Sequence, residues 1–218
     1  MLNKQELAKT FDHTLLKPFS TGEDFIEAAN AAVKYNTASL CVSPDRIDLV
    51  QPILNGSTVN LCVVIGFPNG THTTTAKVAE AEDAYNRGAD ELDMVMNIGK
   101  AKEGNWQAVY RDIQAVVEAT PLLTKVILET CFLTDEEIVK ACQVAEAAGA
   151  DYVKTSTGFA EAGATTHHVA LMKDSVSDKV KVKASGGIRS LEAVQEMLDA
   201  GADRIGLSST EAILNELD

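Results

Sequence analysis

Short β-branched runs and longer stretches of helical period alternate along the whole chain. The runs at 38–42, 60–66, 91–96, 125–130, 151–155, 180–184 and 203–206 read as strands, and an eighth is expected near 11–15. Between 135 and 148, Ile138, Ala141, Cys142, Ala145 and Ala148 recur on one face of a helix. Thr134 with Glu137 forms a capping box at its start, and Gly149 follows its end. Strand then helix, repeated, is the pattern of a parallel sheet with helices outside it. Gly-Ala-Asp stands at 88–90, 149–151 and 201–203, each time just ahead of a strand. The intervals fit pairs of compact β/α units, and no Pro/Gly/Ser-rich linker interrupts them. The expectation is α/β: a single-domain (β/α)8 TIM barrel over residues 1–218. The alternative is a doubly wound open sheet, but the GxGxxG that would favour it is absent.

In a barrel, chemistry sits at the C-terminal ends of the strands, and strand side chains alternate faces. In 91–97, Leu92, Met94 and Met96 form an apolar face suited to the helices, while Asp93, Val95 and Asn97 form the other. That sends Asp93 into the barrel, where a carboxylate is costly unless a cation pairs with it. Lys154 lies opposite Val153 near its strand end, and Lys183 lies opposite Val182 and Ala184. Asp93, Lys154 and Lys183 can therefore converge at one end of the barrel. A lysine beside another cation in a dry site can be neutral and attack a carbonyl to give a Schiff base, with the carboxylate and second lysine moving protons. The same trio also fits a structural ion cluster. Lys181 reads as a solvated strand-end lysine, and Asp12 as a support for the first strand end.

Three segments after the last three expected strands are rich in Gly, Ser and Thr: 155–158, 185–187 and 206–210. Glycines permit close backbone approach, and N–H groups at a helix start make an anion site. Gly158, Gly186, Gly187, Ser208 and Ser209 are thus candidates to hold a phosphate, with Arg189 adding a nearby positive charge, and this shifts the trio towards catalysis on a small phosphorylated substrate. His13, His72, His167 and His168 show no metal-ligand spacing, and His167-His168 is expected at a helix start. Trp106 and the aliphatic stripes are expected in the core. No P-loop, flavin or nicotinamide pattern occurs.

Composition narrows the remaining classes. Of 218 residues, 45% are hydrophobic and 23% charged, which excludes disorder and low complexity. Acidic residues outnumber basic ones 32 to 19, for a formal charge of -13, so no nucleic-acid partner is expected. No apolar run reaches membrane-spanning length and the start has no apolar signal-like region, so a cytoplasmic protein without membrane contact is expected. The four cysteines form no CxxC pair and read as reduced, buried thiols rather than a metal site or disulfide.

The motifs FDHTLLKP (11–18), ELDMVMNIG (91–99), KVILET (125–130), ADYVKTSTGF (150–159), KASGGIR (183–189) and RIGLSS (204–209) run in order through nearly the whole chain. They resemble the 2-deoxyribose-5-phosphate aldolases, a class I, Schiff-base family. The resemblance implies reversible cleavage of 2-deoxy-D-ribose 5-phosphate to acetaldehyde and D-glyceraldehyde 3-phosphate, in deoxyribonucleoside breakdown, with no metal or organic cofactor. It implies Lys154 as the Schiff-base lysine, Lys183 as the lysine that perturbs it, Asp93 as a proton shuttle, and the five Gly and Ser positions as phosphate holders. Partners are then phosphosugar and aldehyde substrates, with a homo-oligomer open. Some members end in a tail whose terminal tyrosine assists proton transfer. This chain stops at 215–218 without one, which leaves open how efficiently the acetaldehyde-derived carbon exchanges its proton. Phe159 stands where some relatives carry a basic residue, so phosphate binding is expected to lean on backbone N–H groups. The alternatives are a phosphosugar isomerase without a covalent intermediate and a non-catalytic sugar-phosphate-binding barrel.

Overall fold

In a computed structural model, which describes residues 2–217, eight parallel strands close into a barrel in chain order. They are β1 (Phe11–Thr14), β2 (Ser39–Val42), β3 (Asn60–Ile65), β4 (Glu91–Val95), β5 (Leu123–Ile127), β6 (Tyr152–Lys154), β7 (Lys181–Ser185) and β8 (Arg204–Leu207). β1 pairs with both β2 and β8, so no strand edge is left open. After the short α1 (Lys4–Ala8), the helices that return the chain are α2 (Gly22–Tyr35), α3 (Ile47–Leu54), α4 (Thr74–Asn86), α5 (Ile98–Lys102) with α6 (Trp106–Ala119), α7 (Asp135–Ala147), α8 (Thr166–Asp174), α9 (Leu191–Asp199) and α10 (Thr210–Asn215). This is the expected (β/α)8 TIM barrel, with strand ends moved by one to three residues.

The largest shift is at β5, which starts two residues before the expected run and ends three residues short of it. It stops early because Glu129 takes a left-handed backbone (φ 57, ψ 65) and turns the chain into a 3-10 turn at Thr130–Phe132. The α7 cap is as expected: Glu137 N–H donates to Thr134 Oγ1 at 3.3 Å, and Thr134 N–H donates to Glu137 Oε2 at 2.8 Å. β4 ends at Val95, so Asn97 caps α5, accepting the Lys100 N–H, instead of lining the barrel.

The core is divided by the sheet. Outward-facing Leu40, Leu61, Leu92, Met94, Val126 and Val182 pack with the helices in one large apolar cluster. Inside the barrel the apolar content is a small patch of Leu16, Cys41, Cys62 and Val64 with Phe67 against it. Val95, Ile127 and Tyr152 are also buried on the inward parity, and around them the interior carries a cluster of charges where a barrel of this class ordinarily stacks branched aliphatics. No helix among the described residues is long and apolar enough to cross a membrane.

Candidate active site

Asp93 is the centre of the charged interior. Its Oδ2 accepts from Lys154 Nζ at 2.6 Å and from Lys183 Nζ at 2.8 Å, and its Oδ1 from Lys125 Nζ at 2.9 Å. Strand pairing brings these groups together: Asp93 is in register with Lys125, Ile127 with Lys154, and Lys154 with Lys183. Lys183 also meets Asp12 at 2.5 Å, Lys125 meets Glu91 at 2.6 Å, and Arg204 spans Asp12 at 2.6 Å and Glu91 at 2.7 Å. All seven side chains are buried, and Lys154, at 3% exposure, alone among the three lysines reaches any solvent. Gly206 makes the room: a Cβ there would lie 2.9 Å from Ser185 Cβ and 3.1 Å from Lys183 Cε.

The charges hold one another. Burial opposes ionisation of Asp93, but Lys125, Lys154 and Lys183 overcome it and keep its carboxyl well below the usual range. Asp12 is lowered in the same way, burial being outweighed by Lys183, Lys125 and Arg204. Burial would neutralise Lys125 and Lys183, yet Asp93 and Asp12 among others raise both ammonium groups. Lys183 is therefore a firmly charged group whose field at Lys154 is offset by the two carboxylates it touches. Three carboxylates (Asp12, Glu91, Asp93) face four potential cations (Lys125, Lys154, Lys183, Arg204), so the cluster is neutral when one cation gives up its proton. Lys125, Lys183 and Arg204 each bridge at least two carboxylates, and Lys154 touches one.

Of these residues, Lys154, Lys183 and Asp93 were expected, with Asp12 as a support. Lys125, Glu91 and Arg204 were missed. Glu91 shares the inward parity of Asp93, a signal that was available. Lys125 stood at the start of its expected strand and Arg204 next to the start of its own, where a cation reads as solvated. Lys181 is exposed as expected, its Nζ 5.9 Å from the centre of the Tyr152 ring.

Gly158, Gly186, Gly187, Ser208 and Ser209 lie on the loops after β6, β7 and β8, which are neighbours in the barrel. The first two loops are stitched together: Ala164 N–H donates to Ser185 O and Gly186 O, and Ser185 Oγ donates to Ser156 O at 2.6 Å. Gly186 (φ 87) packs against Gly163, whose Cα would lie 2.9 Å from a Cβ at Gly186. Ser208 is exposed, and Ser209 precedes α10 without its side chain capping the helix. Arg189 is exposed near the same loops. Phe159 stacks edge-on against Phe67, with ring centres 5.3 Å apart.

The other candidates have local duties. His13 is buried against Thr210, Nδ1 to Oγ1 at 2.8 Å, and burial lowers it to about 4. His167 and His168 do start α8, where they meet Asp135 and Thr130. Trp106 packs half-buried on the core. All four cysteines are free; three are buried and Cys131 is half-buried. One grouping was not expected: Cys41, Cys62 and Asp93 offer ligand atoms within 4.8 Å of one another. Lys125 Nζ lies 3.4 Å from the Cys62 sulfur and 2.9 Å from Asp93, so ammonium charge already occupies the surroundings a metal cation would need.

Comparison with known proteins gives a consistent result. The model of the DeoC/LacD family aldolases matches residues 7–214. A curated deoxyribose-phosphate aldolase of Clostridium perfringens is 49% identical over 214 residues, covering 97% of this chain and 96% of that protein. One from Kocuria rhizophila is 51% identical over 221 residues and covers both chains in full. Among solved structures, the deoxyribose phosphate aldolase of Aeropyrum pernix, described as having a unique tetrameric structure, superposes with a TM-score of 0.92 at 33% identity. That match covers 98% of this chain and 92% of the other.

Proposed function

The chain belongs to the DeoC/LacD family of aldolases, and on that footing we propose that it cleaves 2-deoxy-D-ribose 5-phosphate reversibly through a Schiff base on Lys154. An aldolase displaces the isomerase and the non-catalytic binding barrel considered from sequence. The observation that carries the lysine assignment is the shared Asp93 oxygen: Lys154 and Lys183 both donate to Oδ2, within a cluster holding one potential cation too many.

Lys154 is the cation with the fewest carboxylate contacts and the one nearest the mouth, so it is the group that gives up a proton and becomes a nucleophile. Its amine attacks C1 of the open-chain sugar, and loss of water gives an iminium. The iminium accepts the electron pair of the C2–C3 bond as the C3 hydroxyl loses its proton, releasing glyceraldehyde 3-phosphate. The enamine is then protonated at C2, and water returns the amine and acetaldehyde. Asp93, held ionised, fixes both lysines on one oxygen and takes the hydroxyl proton through Lys183 or a water molecule. Gly158, Gly186, Gly187, Ser208 and Ser209 hold the phosphate, chiefly through backbone N–H groups. The barrel is the chain's one domain, it works without metal or organic cofactor in the cytoplasm, and it self-associates as the tetrameric relative does.

Borohydride reduction in the presence of acetaldehyde, read by peptide mass spectrometry, tests the reading. A two-carbon adduct is expected on Lys154, and none in K154A, which should also lose turnover. An adduct on another lysine, or undiminished turnover in folded K154A, would overturn it.

A further inference from the structure

Glu129 closes β5 and takes no part in the steps above. It is one of two non-glycine residues with positive φ among the described residues, the other being Asn36. A left-handed backbone at a side chain of this size persists only where its surroundings hold it there. Glu129 is almost completely buried, at 2% exposure, and its carboxylate faces Thr157 on the loop after β6. Both carboxylate oxygens lie 3.2 Å from the Thr157 nitrogen, whose N–H donates to them. The Thr157 hydroxyl donates to Oε2 in a short bond and accepts the Phe159 N–H at 3.0 Å. One chain of hydrogen bonds thus runs from the end of β5 to the Phe159 backbone.

The placement of this chain matters more than its number of bonds. Thr157 stands between Lys154 and Gly158, the latter in a left-handed turn (φ 83). The stem of the loop is fixed separately, by Thr130 N–H donating to Thr155 O at 2.9 Å and by Thr155 Oγ1 donating to Ser185 O at 3.1 Å. Lys154 itself is fixed by Asp93. The hydrogen bonds of Glu129 therefore fall on the part of the loop beyond the nucleophile, which it reaches only through charge. Burial raises the Glu129 carboxyl, while the Thr157 bonds and the charge of Lys154 pull it back.

We propose that Glu129 is a positioning residue for the phosphate-binding loop: acting through Thr157, it sets the reach between the Schiff-base nitrogen and the groups that hold the far end of the substrate. The inference rests on the aldolase reading above. It separates two kinds of damage. Loosening the clamp weakens capture of the phosphate and leaves the chemistry at C1 to C3 in place. A plain structural brace would, when removed, harm all substrates alike.

The test is steady-state kinetics of E129Q, T157V, T157S and the E129Q/T157V double variant, on 2-deoxyribose 5-phosphate and on unphosphorylated 2-deoxyribose. Loss of a charge-assisted hydrogen bond predicts that KM for the phosphorylated sugar rises about tenfold or more in E129Q and T157V. Its kcat should fall far less, kcat/KM for the unphosphorylated sugar should change little, and T157S should restore most of the lost affinity. The double variant should be no worse than the worse single one, because both cut the same chain of bonds. Equal losses on the two sugars, or a loss confined to kcat, would overturn the proposal. Should E129Q fail to fold, T157V and T157S decide it by the same criteria. Borohydride trapping with acetaldehyde is run alongside. A normal adduct with equal losses on both sugars defeats this inference alone, whereas no adduct in the unaltered protein defeats the aldolase reading and the inference with it.

Discussion

His13 shows what burial does to a single titrating group. It sits beside Asp12 in sequence but on the opposite face of β1, where Thr210 meets its ring and burial brings it from an ordinary 6.5 to about 4. The unfolded chain takes up a proton near pH 6.5 and the folded chain only near 4, so stability is full above 6.5 and declines as pH falls through that window. A shift of this size corresponds to roughly 3 kcal/mol at its fullest, at the acid end of the window. Asp12 and Asp93, held below the ordinary carboxylate range, add their own loss from about pH 5 downward, as the unfolded carboxyls begin to protonate. Urea unfolding of the unaltered protein should therefore weaken steadily between pH 6.5 and 4, and His13→Gln should flatten that slope whatever its stability at neutral pH. An unchanged slope in the variant would place the titration elsewhere.

At the scale of the element, the barrel was readable because each β/α unit repeats the same local signals, and the α7 capping box is the clearest of them. Thr134→Ala should cost about 1 kcal/mol and leave turnover untouched, since the cap lies outside the reacting cluster. Gly206→Ala should do the reverse of a local loss. Its new Cβ would meet Ser185 and the Lys183 stem at about 3 Å, so Lys183 must shift from Asp93, and kcat should fall together with the melting temperature. Calorimetry and turnover on both variants check the contrast. What the sequence hid has the same origin. Parity along one strand sends Asp93, Lys154 and Lys183 inward, but which inward residues touch depends on how eight strands stagger around the barrel. Lys125 at a strand start and Arg204 beside one look solvated until closure carries them across to Glu91 and Asp12. Glu129 was hidden for a different reason, because nothing in local propensity announces a left-handed glutamate.

The whole molecule keeps most of its apolar packing outside the sheet and a cluster of buried charges inside, so the barrel interior is a balance of signs as well as a site. Lys125 tests that balance because it touches no reacting atom in the proposed steps yet holds Asp93 Oδ1, Glu91 and, more distantly, Asp12 at 3.9 Å. Lys125→Met keeps much of the side chain's length and removes its charge. Breaking a buried ion pair on one side commonly costs 3–5 kcal/mol, and a loss of about that size is expected in urea unfolding. The charge count also changes. Three carboxylates then face only Lys154, Lys183 and Arg204, so the surplus of cation over carboxylate is gone. Turnover of K125M should therefore fall along with its stability, and Lys183, which Asp12 and Asp93 already hold charged, does not make good the missing charge. A destabilised K125M with undiminished turnover would reduce Lys125 to a strut, and would mean that the reactivity of Lys154 does not depend on the charge of the barrel around it.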